Sequence, residues 1–424
     1  MVHTKNRRIK KGYSVKKTNF KTNPRYSLET IAVYPQSEVY WKKAKGYSVW
    51  DNDGNKWIDM TSGIFVANAG HSNSHIKKAI KKQLNKDMLF AYTYDTDIRT
   101  EFASRLLQES PEHLEKMIYM NSGTEATDVA YRLIKTWGEK NNKKKIVCFR
   151  GSYHGRALSC DLMCGNEETS KWSRVVDDDV VFIDFPYDSD AIFDPSVLGD
   201  PSDIAAFMIE TYQGWGACMY PKKYIEDLYH FAKENGSLVC FDEVQAGFFR
   251  MGTLYGYQSY SDILEPDLIC LGKGITSSLP LSAVLGRSSV IDVDSESNVS
   301  STHSGNALSC AAALANLDFL TGKVFQKKLQ KRVSLFEKMC KSLEDNSIVE
   351  KVYCKGMVAG IIFNNTLQAE RVVDLCIQQG VLPVRTSRES IKLGPPLVIT
   401  SAAIKESLSV IQSAIEVTQE NESK

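Results

Sequence analysis

The sequence carries almost no net charge, +1 over 424 residues, so there is no global field to hold nucleic acid or anionic lipid. It lacks any apolar run long enough for a membrane helix or a signal-peptide core. Its ten cysteines include no CxxC pair, and ten in so long a chain are not a disulfide framework. Cys240 and Cys270 stand inside apolar, strand-like runs where a thiol acts as a small hydrophobe, while Cys160 and Cys164 have the spacing to share a helix face. A reducing, cytoplasmic setting fits this usage, and no structural metal is expected. Internal repeats and low-complexity linkers are absent too. One stretch lacks acid altogether: Lys5, Arg7, Arg8, Lys10, Lys11, Lys16, Lys17 and Lys21 occur with no acidic residue among them. Such a start can be a transit peptide, but no Arg/Ser-rich amphipathic pattern follows, and it reads as a solvated terminus.

What is present is a hydrophobic content of 43%, enough for a large core and for two or three folding units. Tyr47 to Asp59 reads as two short strands around an Asn52-Asp53-Gly54 turn, and Ile76 to Leu84 has helical apolar spacing. From about residue 117, short β-rich runs appear at Ile146–Phe149, Val180–Ile183, Ile204–Ile209, Leu238–Phe241, Leu268–Leu271 and Ala283–Leu285. Between two of them Tyr224 to Lys233 is helical, closed by Asn235-Gly236. This alternation predicts an α/β fold with a mainly parallel sheet flanked by helices. Ala307 to Leu320 is a small-residue helix, and Phe325 to Leu343 is a long amphipathic one. Shorter strand-helix units follow to the C-terminus, which suggests a smaller α+β domain. The expected division is 1–70 as an N-terminal segment whose strands join the small domain, 71–318 as the large domain, and 319–424 as the small one.

In open α/β sheets, ligands bind beyond the carboxyl ends of the strands. Three charged residues stand at such ends: Glu210 after IAAFMI, Asp242 after LVCF, and Lys273 two residues after LICL. Asp242 needs a cation or several donors there. Arg250 is one candidate partner, and a cofactor's pyridinium nitrogen, which an adjacent anion keeps protonated, is the other. Lys273 lies between Gly272 and Gly274. Most lysines are solvated surface charges, but glycines allow close approach of a planar ligand, and a desolvated lysine can act as nucleophile or base. Asn121 to Ala126 (NSGTEA) opens a helix, so Ser122, Gly123 and Thr124 are either ordinary caps or a phosphate-binding turn. Tyr153 and His154 follow the strand KKIVCF, where a ring could stack on a ligand or pack on the sheet.

In this order, NSGTEA, SYHG, MIETYQG, FDEVQAGFFRMG, LGKGI and THSGNALSCAAALA resemble the class III aminotransferases. These are fold-type-I pyridoxal-phosphate enzymes that include ornithine and 4-aminobutyrate aminotransferases. The similarity runs from about Tyr34 to Thr400, and FDEVQAGFFRMG followed by LGKG is its most specific part.

The resemblance implies a transaminase that works by a ping-pong mechanism with pyridoxal 5'-phosphate. Lys273 matches the Schiff-base lysine that also shuttles the proton, and Asp242 the pyridinium partner. Ser122, Gly123 and Thr124 match the phosphate cup. Tyr153 matches the ring stacked on the pyridine, with His154 beside it. Val244 matches the apolar contact beneath the ring, Gln245 the residue near the phenolic oxygen, and Glu210 the acid of the neighbouring strand. Thr302 matches a threonine reaching the phosphate of the other subunit's cofactor, which implies a homodimer with its sites at the interface. Related lyases and aminomutases share the scaffold, and they need no second amino acceptor.

Two departures stand out. Lys392, in SIKLGPPLVIT, occupies the place of an arginine that grips a carboxylate, and lysine offers a point charge in place of a bidentate fork. Lys392 does that work less geometrically, or Arg385 or Arg388 does it, or the substrate is not an ordinary amino acid at that end. THSGNA stands where TFGGNP is common, which puts His303 in the space of an aromatic or near the substrate. Phe65, Tyr92 and Tyr94 are candidate specificity residues.

Overall fold

The computed structural model describes residues 37, 39–166, 171–295 and 299–422; the basic start lies outside the described residues. The chain divides into two compact units. One takes in Phe65–Ala69 and Asn73–Gln330, and the other the described residues up to Ile64, Gly70–Ser72 and the chain from Lys331 on.

The larger unit is built on a seven-stranded sheet. Its strands are β1 (Lys116–Met120), β2 (Lys145–Phe149), β3 (Val180–Ile183), β4 (Ile204–Glu210), β5 (Leu238–Asp242), β6 (Leu268–Leu271) and β7 (Ser282–Gly286), in the spatial order β1-β7-β6-β5-β4-β2-β3. From β3 through β6 every neighbour is parallel, whereas β7 runs antiparallel to both β6 and β1. Every residue of β4, β5, β6 and β7 is buried. That explains their unbroken apolar character, since strands covered on both faces need no alternation. The helix Gly123–Lys140 lays Ala126, Val129, Ala130, Leu133 and Ile134 into one cluster with Met208, Cys240, Cys270 and Val284. Each such side chain contributes about 1.5–3 kcal/mol by burial, so truncating Leu133 to alanine costs about 2–5 kcal/mol. The helix Lys222–Glu234 ends at Asn235, and Gly236 takes the left-handed conformation (φ 62°) that stops it.

Two features of this sheet lay outside the reading of the sequence. Met117–Met120, absent from the runs read as strands, belongs to edge strand β1, whose first residue is exposed. The reversed sense of β7 has no signature in its own residues, because pairing direction depends on how the chain returns.

The smaller unit contains two four-stranded sheets. In the first, Lys43–Lys45, Ser48–Trp50 and Lys56–Asp59 form a meander joined in parallel by Val381–Leu382. In the second, Val349–Lys355, Val358–Phe363, Ser390–Leu393 and Val384–Arg385 are antiparallel throughout. Helices Thr366–Gln378 and Ser401–Glu422 belong to the same unit.

Candidate active site

Three parallel strands end side by side. Glu210, closing β4, and Asp242, closing β5, are direct partners across the ladder, and Lys273 follows β6 after one glycine. A cavity of about 160 Å³ opens beyond them, a volume on the order of the ~150 Å³ that accommodates one six-membered ring. Gly123, Thr124, Tyr153, His154, Glu210, Asp242, Val244, Gln245 and Lys273 all line it, together with Gly155, Tyr212 and Ala246. Sequence reasoning passed over Tyr212, although it stands two residues past Glu210 in the same MIETYQG stretch.

Other expected residues are not among those that line it. Ser122 is the N-cap of helix Gly123–Lys140: its hydroxyl accepts from the Glu125 amide (3.2 Å), and Glu125 accepts from the Ser122 amide (2.8 Å). That is a capping box, and Gly123 and Thr124 line the cavity. Thr302 is exposed. Phe65 is buried beneath the Arg250 guanidinium, 5.3 Å from its ring centre. Lys392 belongs to the other unit, buried in the middle of strand Ser390–Leu393 opposite Gly360 and Val384.

Lys273 is partly buried and adopts a left-handed backbone (φ 41°), which is strained for a residue with a β-carbon and characteristic of functional positions. Burial lowers its pKa below the ordinary lysine value, opposed by the Asp242 and Glu210 carboxylates. The result is an amine closer to its neutral, nucleophilic form than a surface lysine. The flanking glycines serve the protein's own packing. A β-carbon at Gly272 would lie 3.1 Å from Val244 Cγ1, and one at Gly274 would lie 2.5 Å from Asn68 Nδ2. Gly123 is bound by the same constraint, with its β-carbon position 2.8 Å from Val244 Cγ1. Val244 is thus wedged between the NSGTEA turn and the LGKG turn.

Asp242 takes a hydrogen bond from the Val244 amide (3.0 Å) and pairs with His154 Nδ1 (2.9 Å). Arg250, the protein partner considered for Asp242, instead donates to Asn68 Oδ1 (2.6 Å). His154 is held through its backbone: Thr127 Oγ1 donates to its carbonyl (2.5 Å), and its amide donates to Cys164 Sγ (3.4 Å). Glu210 accepts from the amides of Tyr153 (2.9 Å) and Gly214 (3.2 Å). Burial pushes Glu210 up to about 7, moderated by His154 and reinforced by Asp242. Behind the cavity, Glu243 accepts from Gly256 N (2.6 Å), Tyr257 N (2.8 Å) and Thr211 Oγ1 (2.7 Å). Burial, only partly offset by these bonds, raises it to about 7 as well.

Two buried polar atoms of lining residues, His154 Nε2 and Gln245 Oε1, have no hydrogen-bond partner among the described residues. Buried polar atoms are rarely left so, and such orphans mark where a ligand's own groups belong. A strand-end carboxylate, a partly desolvated lysine, an aromatic and a ring-sized space therefore fit a planar, phosphorylated pyridine.

These strand ends, loops and turns are those of a pyridine-cofactor fold, and the family profile agrees: that of aminotransferase class-III matches residues 32–415. The chain belongs to the class III aminotransferase family and is a transaminase. It is 28% identical over 388 residues to acetylornithine aminotransferase of Clostridium acetobutylicum, covering 90% of this chain and 97% of that one. It is 27% identical over 390 residues to the LysW-aminoadipate semialdehyde/glutamate semialdehyde transaminase of Sulfolobus acidocaldarius, covering 92% and 97%. Among solved structures, ornithine aminotransferase from Toxoplasma gondii superimposes with a TM-score of 0.85 at 22% identity, covering 94% of each chain.

Proposed function

We propose that this aminotransferase binds pyridoxal 5'-phosphate in the cavity at the ends of β4, β5 and β6, with Lys273 as the residue that holds it and moves the proton. The observation that carries this reading is the convergence of Lys273, Asp242 and two orphaned buried polar atoms on one ring-sized space. When bound, the cofactor supplies a carbonyl that takes nitrogen from the donor and passes it to the acceptor in ping-pong fashion, together with an electron-withdrawing pyridinium.

The protein's part is binding, orientation and proton transfer. Asp242, steadied by His154, faces the ring nitrogen. Val244 and Tyr153, which both line the cavity, would hold the two faces of the ring. Gln245 and His154 offer the buried polar atoms that lack partners among the described residues. Gly123 and Thr124, at the start of helix Gly123–Lys140, meet the phosphate with amides and a hydroxyl, aided by the helix dipole. Lys273 Nζ, its pKa lowered by burial, would take the proton from the substrate's amine-bearing carbon and deliver it to the cofactor's carbonyl carbon.

A terminal amine and the matching semialdehyde are the proposed substrate couple, a reading supported by the ornithine- and semialdehyde-directed names of the relatives. A homodimer is supported by the exposed apolar stretch of Leu84, Met88, Leu89 and Phe90. It lies beside the Thr302 loop, where Phe90 contacts His303 (5.2 Å between ring centres) and Asn306 donates to the Leu89 carbonyl (2.9 Å). Ten free thiols support a reducing, cytoplasmic location.

The test is a donor and acceptor screen on the purified, cofactor-loaded enzyme, beginning with ornithine and N-acetylornithine. Turnover that stops after one equivalent without an acceptor supports transamination, and sustained turnover without one contradicts it.

A further inference from the structure

At the amino-terminal end of β6, opposite the end that leads to Lys273, the larger unit has a second cavity of about 510 Å³. It lies between the segment Pro111–His113, just before β1, and the turn that carries Tyr257, Asp262 and Glu265.

Its chemistry is unbalanced in two ways. Three carboxylates line it: Glu112, Asp262 and Glu265. The cations nearby are already engaged: Lys233 and Arg287 both bind Asp267 (2.5 and 3.0 Å), and Arg287 also approaches Glu265 at 3.5 Å. Among the described residues Glu112 and Asp262 form no ion pair. Charge is therefore left over on that wall, and it is negative. The second imbalance lies deeper. Tyr257 is 1% exposed and lines the cavity, yet among the described residues its hydroxyl has no hydrogen-bond partner. His113 Nε2, also buried, has none either. Burial and the neighbouring Arg287 hold His113 below its ordinary pKa, so its ring adds no positive charge to offset the carboxylates.

We propose that this cavity is a binding site for a small organic ammonium ion that also carries a hydroxyl. The cationic end meets Glu112 and Asp262, and the hydroxyl pairs with the orphaned Tyr257 hydroxyl and His113 Nε2. A hydroxylated cation satisfies both imbalances at once, where an anion adds to the negative wall and a purely apolar molecule satisfies neither. The space is several times what a bare ion needs. Tyr257 also links the site to the catalytic end: its amide donates to Glu243 (2.8 Å), the residue between Asp242 and Val244.

Choline is the probe, because its quaternary nitrogen cannot react with the cofactor carbonyl, and 3,3-dimethylbutan-1-ol is its neutral isostere. Calorimetric titration of the cofactor-loaded enzyme at low ionic strength should show choline binding about tenfold tighter than the isostere, with the preference shrinking at high salt. Tyr257→Phe keeps the ring packing and removes only the hydroxyl, so it should weaken choline about fivefold. Glu112→Gln with Asp262→Asn should bring choline down to the level of the isostere, and Lys273→Ala should leave it unchanged. The proposal is overturned if choline does not bind, if the isostere binds equally well, if Tyr257→Phe and the double carboxylate variant both bind like the parent, or if Lys273→Ala abolishes binding.

Discussion

The two ends of one sheet treat a buried carboxylate in opposite ways. Asp267, at the amino end beside β6, is surrounded by Lys233 (2.5 Å), the Arg287 side chain (3.0 Å) and the Val239 amide (2.8 Å). Its charge is neutralised within the protein. Asp242, at the carboxyl end of neighbouring β5, has a histidine nitrogen and one amide, and it faces a cavity. Both are almost wholly buried. Completing the electrostatics locally makes a structural acid, and leaving it for a ligand to complete makes a functional one.

The largest effect should come from the residue nearest that open end. Lys273→Ala is expected to lower transamination by about 10³-fold or more, measured as single-turnover conversion of the amino donor, with the fold intact by circular dichroism. The two acids should then separate the two kinds of role. Asp242→Asn should reduce turnover by about 10²-fold while changing unfolding free energy by less than about 1 kcal/mol. Asp267→Asn should do the reverse, costing about 2 kcal/mol in urea unfolding with little change in turnover per folded molecule. Equal effects of the two substitutions on both readouts would erase the distinction.

Much of the fold was legible because the central strands are covered on both faces and stand out as unbroken apolar runs. Their carboxyl ends put Glu210, Asp242 and Lys273 in view as a set. The features that stayed hidden depend on distant pairing. His154 and Asp242 are 88 residues apart, and nothing in either local segment announces the bond. Glu243 stands next to Asp242 in sequence. In the structure it faces away, binding the turn at Gly256 and Tyr257. The glycines around Lys273 suggested room for a ligand, but their space is taken by Val244 and Asn68.

A subtler consequence concerns pH. Glu210 and Glu243 are pushed up to about 7 in the folded chain from an ordinary 4.5. Between those values the folded state holds more protons than the unfolded one, so stability falls as pH rises through that window. In the apoenzyme, Glu243→Gln should remove one of the two contributions. The fall from pH 4.5 to 7 should become shallower by on the order of 2–3 kcal/mol in urea titrations. An unchanged slope would mean that Glu243 does not titrate there. The smallest effect is expected at Gly123→Ala, which must displace Val244. Equilibrium dialysis should show cofactor affinity about tenfold weaker with little loss of stability.

The most direct measurement of the role assigned to Lys273 is covalent mapping. The cofactor-loaded enzyme is reduced with borohydride, digested and sequenced by mass spectrometry. One pyridoxyl-phosphate adduct is expected, on Lys273 in the LGKG segment. An adduct on another lysine, or none on a protein that still transaminates, would contradict it.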